Sequence, residues 1–257
     1  MTSHTIEPPN APIWADLASP DLEGAKDFYG SLFGWAAETV APPEAGMYTI
    51  FRLDGKMTAA VQTTMDGLAP PAWRAYIHVT DVEETANKAR DAGATVMFGP
   101  DDVFASGRLA FLADPTGAAI GLWQPLTHPG AEVMAEPGSL AWFELDTRDI
   151  EAAKRFYGEV FGWGSHTSDA GGLEYTEFKM GDRSIAGMVP MGPQQEGMPP
   201  YWLVYFAAGD VDASTAKVEE LGGKPMVPPM DFPGGRFSIV MDPQGVAFGL
   251  LRLRQEP

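Results

Sequence analysis

The chain contains no cysteine. That absence excludes a disulfide framework, a thiolate nucleophile, and zinc or iron–sulfur sites built on cysteine. Histidine is scarce too: His4, His78, His128 and His166 are the full set. Positive charge is under-represented, with 17 Lys plus Arg against 35 Asp plus Glu and a formal net charge of −18. So acidic a chain should repel nucleic acid and anionic membrane and attract cations. No apolar run approaches the roughly 18 residues that span a bilayer. The opening MTSHTIEPPNAPIW has neither the basic nor the apolar region of a signal peptide. No G-x-G-x-x-G or P-loop is present. The expectation is a cytoplasmic protein without nucleic-acid or membrane partners. What is present suffices for a core: 45% of the 257 residues are hydrophobic, enough for one large or two ordinary domains.

The chain repeats itself. Residues 14–35, WADLASPDLEGAKDFYGSLFGW, match residues 142–163, WFELDTRDIEAAKRFYGEVFGW, at 12 of 22 positions. Tyr48-Thr49 answers Tyr175-Thr176, and the PPAW ending at Trp73 answers the PPYW ending at Trp202. Gly107-Arg108 answers Gly235-Arg236, and the turn at Asp114 (DPTG) answers that at Asp242 (DPQG), all at offsets of 127 to 129. A period this long means duplicated domains rather than a solenoid. The expected organisation is a first domain over 11–124, a linker over 125–138 with Pro and Gly punctuation, and a second domain over 139–254.

Each half divides again. Ile13–Leu17 alternates like a strand, Ser19-Pro20 reads as N-cap and N1 of a helix, and Ala25, Phe28, Tyr29, Leu32 and Phe33 give it one apolar face ending at Gly34. Strand-like stretches follow near 47–53 and 57–63. The pattern restarts at Arg74–Val79, with Asp81 capping a short helix that ends at Gly93, and strands near 95–98, 108–113 and 118–124. Four βαβββ modules are predicted, near 13–63, 73–124, 141–190 and 201–253.

The FYGSLFGW and FYGEVFGW segments, the DPTG and DPQG turns and the paired modules resemble the vicinal oxygen chelate superfamily. That superfamily groups glyoxalases, extradiol dioxygenases and antibiotic-resistance proteins. More narrowly, the chain is similar to tandem-domain actinobacterial proteins of glyoxalase or hydroxylase type. The resemblance implies an α+β fold: two tandem glyoxalase-like domains, each of two βαβββ modules whose curved mixed sheets enclose a cavity. It also implies where metal ligands would stand. Counting seven residues back from each helix-initial Asp gives Trp14, Arg74, Trp142 and Leu203; counting seven forward from the Asp of each D-P-x-G turn gives Gly121 and Gly249. The inner segments 57–63 and 184–190 hold no His, Asp, Glu or Cys. None of these positions suits a metal, so no metal and no cofactor is expected.

Strand alternation places Asp16 on the face of Trp14, Glu144 on that of Trp142, and Arg74, Tyr76 and His78 together against Leu203, Tyr205 and Ala207. Trp123 follows Gly121 by two and should also face inward. The candidate ligand-binding set is therefore Trp14, Asp16, Arg74, Tyr76, His78, Trp123, Trp142, Glu144 and Tyr205. An aromatic wall with a carboxylate at its base suits a flat aromatic ligand or a cation, with the glycines leaving room for it. The alternative is that these rings simply fill a metal-free core. His4, His128 and His166 fall in tail or loop positions. Arg108 and Arg236 either clamp a ligand carboxylate or pair with a neighbouring acid, and the loops 64–72 and 190–200 could cover a cavity mouth.

Two functions follow. One is metal-independent binding of a cationic or aromatic, antibiotic-like small molecule, in the style of the antibiotic-sequestering members of the superfamily. The other is a glyoxalase-like lyase or other detoxification enzyme acting on a reactive carbonyl, with Asp16 or Glu144 and His78 as its acid–base groups. A scaffold without a ligand is the third reading. The assembly is expected to be a monomer or homodimer. How the modules pair is open: Trp14 meets either Arg74 and His78 or Leu203 and Tyr205.

Overall fold

The computed structural model describes residues 7–42, 46–64, 70–169, 172 and 174–254. Each quarter of the chain is one βαβββ module. The first is β1 (Pro12–Ser19), α1 (Leu22–Phe33), β2 (Ala36–Thr39), β3 (Thr49–Leu53) and β4 (Lys56–Thr63). The second is β5 (Ala72–His78), α2 (Val82–Asp91), β6 (Thr95–Val103), β7 (Gly107–Ala113) and β8 (Ala119–Pro125). The third is β9 (Leu140–Thr147), α3 (Ile150–Phe161), β10 (Gly164–Asp169), β11 (Glu174–Met180) and β12 (Arg183–Pro190). A 3₁₀ turn at Pro193–Gln195 precedes the fourth: β13 (Tyr201–Ala207), α4 (Val211–Glu220), β14 (Lys224–Phe232), β15 (Gly235–Met241) and β16 (Ala247–Leu253).

The modules pair in chain order. The first two form one mixed eight-stranded sheet, β2-β3-β4-β1-β5-β8-β7-β6, and the last two form β10-β11-β12-β9-β13-β16-β15-β14. At the centre of the first sheet β1 runs antiparallel to β5, with Asp16 opposite Arg74 and Trp14 opposite Tyr76. In the second, Glu144 stands opposite Leu203 and Trp142 opposite Tyr205. The pairing left open by the sequence is thereby decided.

Among the described residues all four α-helices start at an aspartate. Asp21 accepts from the Gly24 amide and Asp149 from the Ala152 amide, each at 2.9 Å, and Asp81 and Asp210 cap α2 and α4 in the same way. The first helix thus begins two residues later than the Ser19-Pro20 reading. Asp21 satisfies the exposed amide, while the buried Ser19 hydroxyl turns instead to the Asp21 carbonyl and to Gln244. The helix stops at Gly34 and its counterpart Gly162, both left-handed at φ 75° and 73°. The short strands β2 and β10 escape the periodicity reading because every residue in them is exposed.

The helix-covered faces of both sheets merge into a single apolar core, whereas the concave faces carry two separate small clusters. The repeated motifs stitch the domains across this core. Tyr29 of α1 donates to Asp242 Oδ2 at 3.0 Å, and Tyr157 of α3 donates to Asp114 Oδ2 at 2.9 Å. Trp73 and Trp202 donate to those same hydroxyls, at 3.0 and 2.9 Å. The other oxygen of each aspartate accepts backbone amides of its own turn. Trp35 grips the Gly138 carbonyl and Trp163 the Asn10 carbonyl, both at 2.6 Å, so each domain holds the segment that leads into the other's first strand. The aspartates of the D-P-x-G turns therefore serve the inter-domain seam as well as local turn geometry.

Candidate functional site

Each curled sheet presents a concave cup. In the first, Trp14, Asp16, Arg74 and Tyr76 project together from adjacent strands. Asp16 is 2% exposed and is the hub of the cup. Its Oδ1 accepts from Arg74 Nε at 2.7 Å, and its Oδ2 accepts from the Tyr76 hydroxyl at 2.8 Å and the Tyr48 hydroxyl at 3.4 Å. Tyr48 in turn accepts from Trp14 Nε1 at 2.9 Å. The Arg74 guanidinium lies over the Phe111 ring, 5.3 Å from its centroid, and the Gln62 amide oxygen, once turned toward it, accepts from its other nitrogens. Burial pushes the Tyr48 and Tyr76 hydroxyls well above the usual phenol range, so both stay protonated donors.

The mouth of this cup is crossed by the chain between β8 and β9. Ala131 donates to the Ile13 carbonyl at 2.9 Å, and Glu132 exchanges hydrogen bonds with Met57 through its own amide and side chain, both at 2.8 Å. His128 then stands edge-on to Trp14 at 4.5 Å and 5.6 Å from Trp123, whose indole donates to the His128 carbonyl. Neither ring nitrogen of His128 has a hydrogen-bond partner among the described residues, and burial pulls its pKa down to about 4. The residue read from sequence as a loop histidine is thus part of the aromatic plug. His78, by contrast, stands apart from the hub. It lies four residues beyond Arg74 on β5, about 13 Å along the strand, and its Nδ1 is engaged by the Glu7 carbonyl at 2.9 Å. An Asp16–His78 acid–base pair is therefore not assembled.

The second cup reuses the frame with different contents. Trp142 Nε1 donates to the Tyr175 hydroxyl at 2.9 Å, and Tyr205 donates to Glu144 Oε1 at 2.7 Å. Leu203 stands where Arg74 stands in the first cup, so among the described residues Glu144 has no cationic partner. Asp146, two residues on, adds a second carboxyl where the first domain has Ala18; its Oδ2 accepts from Tyr201 at 2.9 Å and from Gln195 at 2.5 Å. Tyr201 replaces Ala72. Glu144 is 8% exposed, and burial, reinforced by the Asp146 charge, pushes its carboxyl up to about 7 against the pull of the two tyrosines. Trp142 and Tyr201 are only half-buried, whereas Trp14 is fully enclosed.

The glycines do not leave room for a ligand. A Cβ at Gly121 would collide with the Tyr76 ring, one at Gly249 with the Tyr205 ring, and one at Gly187 with Tyr175 and Trp142. These glycines admit tyrosine rings to the cup floor, at the positions where the resemblance places metal ligands. Among the described residues no three His, Asp or Glu side chains converge as a metal would require. A donor set of indoles, glycines, one leucine and one ion-paired arginine does not fit a metal ion. Arg108 pairs with Asp102 and Glu83, and Arg236 with Asp212 and Asp231, away from either hub. His166 lies on the exposed strand β10. His4 and most of the 64–72 loop lie outside the described residues.

Three residues of the second cup carry no mark in a single-pattern reading: Asp146, Tyr201 and Gln195 have no counterpart in the first half. Tyr48 and Tyr175 did carry one, as a tyrosine recurring at the same place in both repeats.

The chain belongs to the Glyoxalase/Bleomycin resistance protein/Dioxygenase superfamily, whose family profile matches residues 12–122 and again 139–250. It is 40% identical over 248 residues to "Putative glyoxylase CFP32" of Mycobacterium tuberculosis, covering 94% of both chains. It is 37% identical over 262 residues to "Anthracycline biosynthesis protein DnrV" of Streptomyces peucetius, covering 96% of this chain and 94% of that one. Among solved structures it resembles the 2,3-dioxygenase LapB of Pseudomonas sp. KL28, with a TM-score of 0.70 at 15% identity over 98% and 95% of the two chains. It also resembles the Mn(II)-bound glyoxalase of Novosphingobium aromaticivorans, at TM-score 0.65, 14% identity and 94% and 81% coverage. At these identities the structural likeness concerns the fold alone. Among the described residues no helix is long and apolar enough to cross a membrane.

Proposed function

We propose that the protein binds an aromatic small molecule carrying positive charge, without a metal, and that the second cup is the binding site. The observation that carries this reading is the contrast at the hub. Asp16 is neutralised by its own arginine, whereas Glu144 and Asp146 are buried side by side, with no cationic partner among the described residues, inside a wall of Trp142, Tyr175, Tyr201 and Tyr205. Buried carboxyls in an aromatic wall are matched by a ligand ammonium through ion pairing and cation–π contact. The overall charge of −18 draws such ligands in. The name of the Streptomyces peucetius relative supports a polycyclic aromatic ligand class.

The test is a Trp fluorescence titration with an anthracycline bearing an ammonium group, using its N-acetylated form as neutral control. Saturable quenching by the charged form that weakens at least about tenfold in Glu144→Gln and in Leu203→Arg supports the reading. Equal binding of both forms, or binding indifferent to these substitutions, refutes it.

One observation favours a second reading, a lyase or isomerase acting on a reactive carbonyl. A carboxyl titrating at about 7 is well placed for general acid–base work at neutral pH. The relatives named glyoxylase suggest the substrate class. Methylglyoxal consumption in the presence of a thiol, abolished by Glu144→Gln, would establish it over binding alone.

A further inference from the structure

Asp146 is more than a neighbour of Glu144. It is 5% exposed, and its Oδ1 has no hydrogen-bond partner among the described residues. A buried carboxylate oxygen without a donor is costly and calls for an explanation. The other oxygen is served by Tyr201 and by the Gln195 side-chain amide. Gln195 also donates to the Tyr201 hydroxyl at 2.9 Å.

Gln195 reaches the cup from outside the sheet. Its neighbours Pro193, Gln194 and Glu196 to Pro199 are exposed while Gln195 is half-buried, and no residue of the 3₁₀ turn Pro193–Gln195 is buried. This stretch is held by exchangeable polar bonds. Arg148 donates to the Gln195 carbonyl at 2.6 Å and the Met198 carbonyl at 2.7 Å, and the Gln195 Oε1 accepts from the Gly192 amide at 2.9 Å. The first cup has no such station, because Ala18 and Ala72 stand at the equivalent positions.

A neutral amide is a modest donor to a carboxylate and leaves Oδ1 unserved. An ammonium offers three donors with charge, enough for Oδ1, Oδ2 and the adjoining Glu144. We infer that Gln195 is a displaceable stand-in for the ammonium group of the cup's ligand, that Asp146 selects amine-bearing ligands, and that the 191–200 segment is the flap that opens to admit them. This rests on the binding role assigned to the second cup.

The test uses the full chain, the aminated anthracycline and its N-acetylated form, with Asp146→Asn and Gln195→Ala. Gln195→Ala should tighten the aminated form about threefold or more and leave the acetylated form unaltered. Asp146→Asn should weaken the aminated form about tenfold. In the wild type, the Gln195 side-chain amide cross-peak, identified by its loss in Gln195→Ala, should move on saturation. Binding to Gln195→Ala but not to wild type also supports the stand-in. Binding that Glu144→Gln abolishes but Asp146→Asn and Gln195→Ala leave unchanged overturns the stand-in and keeps the cup's role. No binding to wild type or Gln195→Ala overturns both. Should Asp146→Asn fail to fold, an unmoved Gln195 cross-peak at saturation overturns the proposal by itself.

Discussion

The two cups hold the same tryptophan, the same pair of tyrosines and a carboxylate at the same place, yet they have opposite electrostatic character. The first is a closed circuit: Asp16 is paired with Arg74, bonded by two tyrosines and sealed beneath His128 and the inter-domain chain. The second is an open one: two buried carboxyls, no cation among the described residues, half-buried rings and a polar flap. A single exchange, Arg74 in one half and Leu203 in the other, accounts for most of the difference. It teaches that duplicated aromatic frames conserve shape cheaply, while one ionisable position decides whether the carboxylate is satisfied from within or left for something else.

The comparison can be broken most forcefully at Arg74. Arg74→Leu puts the second cup's leucine opposite Asp16 and strands that carboxylate, so urea denaturation at neutral pH should show a loss of about 3–5 kcal/mol.

Next comes the pH response of the second cup. A carboxyl raised from 4.5 to about 7 in the folded protein favours folding fully below 4.5, and that contribution fades as pH climbs through 7. Glu144→Gln should therefore match the wild type near pH 4.5 and exceed it by about 3 kcal/mol at pH 8, read from denaturation midpoints across that range. An advantage that grows toward acid would have the wrong sign and would remove Glu144 as the strained group.

The seam should treat the halves alike. Tyr29→Phe and Tyr157→Phe each leave a buried aspartate oxygen short of a donor and should cost about 1.5–3 kcal/mol apiece, in near-equal measure. A marked inequality would mean that the crossed bonds are not equivalent.

The smallest effect is expected at the first cup's plug. His128 is held at about 4, so the unfolded chain takes up a proton that the folded one refuses as pH falls below 6.5. Acid between pH 6.5 and 5 should cost about 1.5 kcal/mol. Most of that sensitivity should vanish in His128→Phe, measured by thermal melting at both pH values.

Much of this was legible in the residues. The duplication, the four modules, the Asp81 cap and the inward face of β1, β5, β9 and β13 all follow from local pattern, because strand alternation and helix capping are short-range rules. Trp14, Asp16, Arg74, Tyr76, Trp123, Trp142, Glu144 and Tyr205 do line the cups. What local pattern missed was distance and direction. His78 shares a face with Arg74 but lies too far along the strand to meet Asp16. His128 sits in a segment without periodicity that happens to cross a cup. The glycines seemed to offer space, and the tyrosines on neighbouring strands fill it. Asp146, Tyr201 and Gln195 meet only because a turn folds back over the rim.

The amino-acid order alone determined the architecture and the chemical inventory. Twelve identities in 22 positions, four capped helices and alternating strands leave little freedom in fold, and without cysteine, and with histidine scarce, thiolate and imidazole metal sites have few donors. The tertiary structure decided which carboxylate finds a cation. That depends on which strands lie side by side, so that Asp16 faces Arg74 while Glu144 faces Leu203, and on burial, which makes the difference between those two neighbours matter.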